Sequence, residues 1–257
     1  MTPQLSRTPL TAADSTHDNQ LLGALPAPEL QALTPDLEWV RMLVGDVLYE
    51  PGQRLRHAYF PTTAVVSLLY LSENGDSTET CSVGREGVVG MPLFMCSDTT
   101  LGSAVVQTSG HGFRVSHARL AASLQSGGKL LGMLLRHTQA LLTQIAQTVA
   151  CNRHHTIEQQ FSRWLLSASD RLDFNELVIT HELMAGLLGV RRESISQAAA
   201  KLQAEGYIRY RRGHISVIDK LGLESATCEC YAVVKSEIQR LTAPSRHPAA
   251  KPPSQHA

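Results

Sequence analysis

The chain has 257 residues, 43% hydrophobic and 18% charged, which excludes a disordered polymer and leaves room for one large domain or two modest ones. Lys+Arg (23) balance Asp+Glu (23), so bulk charge supplies no affinity for nucleic acid, and any such site must come from local clustering. No apolar run approaches the ~20 residues of a bilayer span. The five cysteines (Cys81, Cys96, Cys151, Cys228, Cys230) are scattered without a C-x-x-C, as suits a reducing cytoplasm better than a disulfide framework. The expectation is a cytoplasmic protein with no membrane partner.

Residues 1–18 show no hydrophobic periodicity and read as a disordered leader, as does the Pro/Ala/Ser/His-rich tail over 242–257. From 40 to 120, within a domain expected over 19–125, the texture is strand-like. Short apolar runs at 56–60, 64–71, 103–107 and 112–115 alternate with turn signals, and Asn74-Gly75 between two of them is the strongest hairpin signal in the chain. Turns every ten or so residues predict an antiparallel sandwich or jelly roll. After Gly127-Gly128 the period becomes helical. Leu131, Leu134, Thr138, Leu141, Ile145, Thr148 and Asn152 step by three or four over the segment 126–152. A helix of ~25 residues is about 37 Å long, more than a small domain's own core needs. Its mixed apolar and polar seam suits a dimer interface centred on Leu134, Leu141 and Ile145. An ordinary amphipathic core helix is the competing reading.

Within the segment 153–241, residues 179–218 carry the most information. Thr180 is a good N-cap, followed by His181 and by Leu183, Leu187 and Leu188 on one face; Gly189 breaks that helix. A second helix starts near Arg191, buries Ile195, Ala199 and Leu202, and stops at Gly206. Two short helices about a glycine turn are a helix-turn-helix pattern. The β-rich runs 207–210 and 214–218 around Arg211-Arg212-Gly213 then predict a hairpin wing. Residues 189–214 hold six Lys/Arg against two acids, a local positive excess in a neutral protein. The first turn of the second helix offers Arg192, Glu193, Ser196 and Gln197, groups able to read guanine, cytosine and adenine edges.

These residues resemble the winged helix-turn-helix of the Crp/Fnr family of bacterial transcription regulators, with Gly189-Val190-Arg191-Arg192-Glu193-Ser194-Ile195 at the turn and recognition-helix start. The resemblance extends over about 19–241. The opening of the roll is similar to a cyclic-nucleotide-binding-type β-roll, and 126–152 stands where the family has its dimerisation helix. The closest likeness is to members carrying ACNRxH and CECY segments, here at 150–155 and 228–231, to which no chemistry is assigned. The resemblance implies an α+β chain: a double-stranded β-helix or jelly-roll-like β-roll, a long dimerisation helix and a winged helix-turn-helix. It implies double-stranded DNA as partner, a homodimer reading a two-fold operator, and RNA polymerase and a small-molecule effector as further partners. Thr180, His181, Arg191, Arg192, Glu193, Ser196, Gln197, Arg211 and Arg212 then form the DNA-binding set. Gly90 stands where cyclic-AMP-responsive members have the ribose-binding Glu, and Gly102, before Ser103, where they have the phosphate-binding Arg. Gly84, Gly87, Gly90, Gly102 and Ser103 thus mark a degenerate effector pocket, in which plain turn glycines are the simpler reading.

Other chemistries are poorly supported. Gly128-Lys129 is followed by Leu130, so there is no Walker A motif; there is no G-x-S-x-G and no H-E-x-x-H. His111 and His117 are isolated, and His154-His155 read as flanking the long helix. No enzyme activity, cofactor or metal is expected. A cysteine- or haem-based sensor is one alternative, although Cys228 and Cys230 on one helix would point apart, and one pair cannot complete a four-ligand site. A regulator with a purely structural, ligand-free β-roll is the other.

Overall fold

The computed structural model describes residues 16–172 and 176–242, so most of the expected leader and tail lie outside the described residues. The last leader residues, Thr16–Asp18, form a 3-10 turn, and Thr242 closes the final helix. Two short helices follow the turn, α1 (Gln20–Gly23) and α2 (Ala27–Leu33). The buried Asn19 side chain caps α1 at Leu22 N (3.0 Å) and donates to the carbonyls of Pro61 (2.8 Å) and Gly87 (2.9 Å). One amide thus fastens the N-terminal helices to the roll.

The roll comprises β1 (Glu38–Met42), β2 (Val47–Tyr49), β3 (His57–Pro61), β4 (Val65–Leu71), β5 (Ser77–Val83), β6 (Gly102–Thr108) and β7 (Gly110–Ser116). They form two antiparallel sheets, ordered β1-β7-β3 and β2-β6-β4-β5. Val40, Met42 and Tyr59 from the first meet Val66, Val83, Ala104 and Val106 from the second in one buried cluster, the packing of a sandwich. All four apolar runs seen in the sequence are strands, and the Asn74-Gly75 hairpin joins β4 to β5 with Leu71 paired to Ser77. Strand β5 has no apolar run in the sequence, since Ser-Thr-Glu-Thr-Cys-Ser is polar in composition; its Glu79 and Cys81 are nonetheless buried.

Helix α3 (His117–Gln125), capped by Ser116, leads to the 25-residue α4 (Leu130–His154). The remainder is α5 (Ile157–Ser169), β8 (Glu176–Val178), α6 (His181–Leu188), α7 (Arg192–Ala204), β9 (Ile208–Arg211), β10 (His214–Val217), α8 (Lys220–Ala226) and α9 (Glu229–Thr242). Helix α9 returns alongside α4. No helix among the described residues is long and apolar enough to cross a membrane.

The residues of the expected dimer seam face inward in this chain. Leu134 (0% exposed) and Leu141 (3%) are buried in this chain's own roll core, and Ile145 packs partly buried against it. Helix α4 carries a second stripe one residue further round. Leu135, Leu142 and Val149 are 48%, 57% and 66% exposed and recur every seven residues, each preceded at three positions by exposed Gly132, Gln139 or Ala146, so that steps of three and four alternate.

The C-terminal part is docked on the roll. Val65 is buried in the core of the helix-turn-helix unit and Leu69 packs against it; Trp164 Nε1 donates to the Glu79 carboxylate (2.9 Å), and Arg171 pairs with Glu86.

Candidate nucleic-acid interface

Local sequence builds the two helices. Thr180 has extended backbone and its Oγ1 accepts from Leu183 N (3.2 Å), which starts α6. Gly189 ends it in the left-handed region (φ +66°), and a Cβ there would also lie 3.2 Å from Thr78 Oγ1 of the roll. Glycine serves both the turn and the close approach. Arg191 is the extended residue before α7, and Ile195, Ala198, Ala199 and Leu202 bury the inner face of that helix.

The outer face is open. Arg191, Arg192, Glu193 and Gln197 are all exposed over the first turn and a half of α7. Arg192 faces Glu182 of α6 at 3.8 Å with both side chains largely in solvent, a pair too exposed to hold the guanidinium against a competing phosphate or base. Two of the expected contact residues are engaged within the unit instead. His181 Nδ1 lies 3.0 Å from Ser196 Oγ, and its ring stacks on Tyr210 at 4.1 Å between centroids. Burial, with the Arg192 charge second, lowers the His181 pKa, so the ring is neutral at neutral pH. His181 therefore braces α6 to α7 and to the wing, with Ser196 as its partner.

The wing is a three-stranded antiparallel sheet, β8-β10-β9, of which the sequence showed only the last two strands. Arg211 pairs with His214, leaving the two-residue loop Arg212-Gly213. Both loop residues have positive φ (47° and 84°), the type I′ geometry that matches strand twist. Arg211 and Arg212 are exposed at this tip, and His214 Nδ1 meets Glu176 across the sheet at 3.0 Å.

The glycines expected to mark an effector pocket pack against this chain's own atoms, Gly84 and Gly87 against side chains and Gly90 and Gly102 mainly against backbone. A Cβ on Gly87 would lie 1.9 Å from the His137 ring of α4, and one on Gly84 would lie 2.9 Å from the Arg171 side chain. Gly90 (φ +112°) lies against Ala58, while Gly102 and the buried Ser103 pair with Tyr70 and Leu69 between strands. His137 Nε2 is within 3.1 Å of Val88 O, closing the turn from inside.

The cysteines show what sequence separation hid. Cys228 precedes α9 rather than lying within it, so its thiol and that of Cys230 do not diverge as they would on a continuous helix. Both meet Cys151 and His155 from the end of α4, and the four donor atoms lie within 4.8 Å of one another. The expectation that the Cys228/Cys230 pair stands alone is therefore corrected. The i, i+4 spacing of Cys151 and His155 was the available signal, since it puts both on one helix face.

A two-sheet roll, a long connecting helix and a winged helix-turn-helix define the class of a Crp/Fnr-type transcriptional regulator fold. Residues 159–226 match the family model of the Crp-like helix-turn-helix domain. Among solved structures, FixK2 from Bradyrhizobium japonicum is similar with a TM-score of 0.65 at 14% identity, over 75% of this chain and 98% of that one. A protein assigned to the Crp/Fnr family from Eubacterium rectale is similar with a TM-score of 0.64 at 16% identity, over 82% and 98%. The CRP-family regulator TTHB099 from Thermus thermophilus follows with a TM-score of 0.54 at 20% identity, over 72% and 95%. At these identities the likeness establishes the fold. No curated protein matches the chain.

Proposed function

We propose that this chain is a sequence-specific, DNA-binding transcription regulator that acts as a homodimer on a two-fold operator. One observation carries the reading: the exposed first turns of α7 present Arg191, Arg192, Glu193 and Gln197 beside a wing tip bearing Arg211 and Arg212. These are base-reading groups next to phosphate-holding ones, in a chain of zero net charge. Thr180 and His181 support the geometry, the first as helix cap and the second as brace. The exposed heptad stripe of α4 (Leu135, Leu142, Val149) is the surface a second copy would cover, seam to seam. A dimer would duplicate the reading helix and make the operator two-fold.

The roll is an effector or interaction module of a kind other than a cyclic-AMP receptor. Gly90 and Gly102 supply no charge for ribose or phosphate, and His137 and Arg171 crowd the turn glycines. The deciding experiment is selection of bound DNA from a random duplex library by the full chain. Enrichment of a two-fold sequence supports the reading, and recovery of no preferred sequence defeats it.

A further inference from the structure

Outside the DNA-binding face, three cysteines and one histidine converge from parts of the chain 77 residues apart. Cys151 Sγ and Cys228 Sγ are 3.6 Å apart, and Cys230 Sγ is 3.6 Å from His155 Nδ1. We propose that Cys151, His155, Cys228 and Cys230 bind a single zinc(II) ion tetrahedrally, clasping the end of α4 to the start of α9.

The dimensions fit one ion. Zinc–sulfur bonds of about 2.3 Å and zinc–nitrogen bonds of about 2.0–2.1 Å put neighbouring tetrahedral donors about 3.4–3.8 Å apart. The two closest separations here are 3.6 Å, and no two of the four donors exceed 4.8 Å. An iron–sulfur cluster holds its thiolates further apart, around a core of several atoms. A disulfide would need its sulfurs at about 2.05 Å. The softness also fits, since three thiols with one imidazole form one of the closed, four-protein-ligand sets that zinc takes in structural sites.

The surroundings complete the site. His155 turns Nδ1 to the thiols while its Nε2 lies 3.4 Å from the Glu229 carboxylate, the outer partner that orients a metal-bound imidazole. Three thiolates and one zinc(II) carry a net charge of −1, and the buried Arg163 guanidinium faces Cys151 to offset it. Thr227, Cys228, Glu229 and Ala232 line a surface groove that gives an ion access from solvent. Metal binding releases the thiol protons to water, with no change in oxidation state.

The placement says what the clasp does. His155 caps the end of α4, two residues before α5, where the chain leaves the long helix for the DNA-binding unit, and α9 is the last element of that unit. An ion held from both sides fixes the unit's angle to α4.

The test uses the full chain, purified under reductant without chelator. Metal analysis should return about one zinc per chain. After exchange, cobalt(II) should give the intense visible bands of a tetrahedral ion with thiolate charge transfer. Cys228→Ser and His155→Ala should each lower the zinc content at least tenfold, whereas Cys96→Ser, at an exposed cysteine, should leave it unchanged. If the ligand variants are insoluble, the wild-type chain keeps the question open to decision: a chelator should lower its melting temperature and zinc restore it. Folded protein that stays metal-free after zinc addition, an octahedral cobalt spectrum, bound iron, or a Cys151–Cys228 disulfide would each overturn the proposal. None of these readouts depends on DNA binding.

Discussion

Arg171 Nε lies 2.7 Å from Glu86 Oε1, with both side chains buried, and the pair joins the DNA-binding unit to the roll. The same guanidinium donates to the carbonyls of Ser167 (2.8 Å) and Ser82 (3.2 Å), so most of its donors are used. Burial alone would raise the Glu86 pKa, but the Arg171 charge and hydrogen bonds overcome it, and the carboxyl ends below its usual range.

Removing the cation should therefore be costly. Arg171→Met leaves a buried carboxylate without its cationic partner and should destabilise the chain by about 3–5 kcal/mol. The pH dependence should also invert. With a lowered native pKa, the wild type keeps the pair's full contribution above the ordinary carboxylate range and loses it as pH falls through the lowered value. In the variant, burial acts unopposed and raises the Glu86 pKa, so stability should fall as pH rises through the carboxylate range. Urea unfolding from pH 4 to 8 on both proteins checks the two slopes; equal slopes would show that Arg171 does not hold Glu86 ionised.

The two stripes of α4 should respond oppositely to one change. Leu142→Asp alters a side chain that is 57% exposed and should give a folded monomer. Leu141→Asp puts a charge where the side chain is 3% exposed, and should unfold the roll. Sedimentation and circular dichroism distinguish these outcomes. A Leu142→Asp protein that remains dimeric would place the seam elsewhere.

On DNA, Arg192→Ala should cost about 1–3 kcal/mol on the selected site and relax preference at one base pair. Arg211→Ala should weaken selected and random DNA alike and make the salt dependence shallower by about one unit. Binding to both DNAs at several salt concentrations separates the roles. A change of base preference on removing Arg211 would reverse the assignment of helix and wing.

Cyclic AMP should show no binding by calorimetry at micromolar concentrations. Each missing charge-assisted contact forfeits about 1.5–3 kcal/mol, and neither Gly90 nor Gly102 replaces one. Gly87→Ala should severely destabilise the roll by driving its methyl into His137. Gly87→Ala combined with His137→Ala should recover much of the loss, measured by thermal melting.

What the sequence determined by itself is local. The Thr180 cap, the Gly189 break, the apolar inner face of α7 and the Arg212-Gly213 turn each depend on residues within a few positions, where propensity and period speak directly. Periodicity likewise revealed a long helix but not which of its stripes faces inward. Leu134–Leu141 and Leu135–Leu142 have the same spacing, and only the position of the roll buries the first pair and leaves the second in water. Tertiary structure alone brought Glu86 to Arg171, Glu79 to Trp164, and Cys151 and His155 to Cys228 and Cys230. Each joins residues 73 or more positions apart, where no helical or strand period reaches. Such polar and thiol groups meet because the apolar faces of α4, α5, α9 and β5 pack first in energy, and what those faces carry along is then held at a few ångströms' distance.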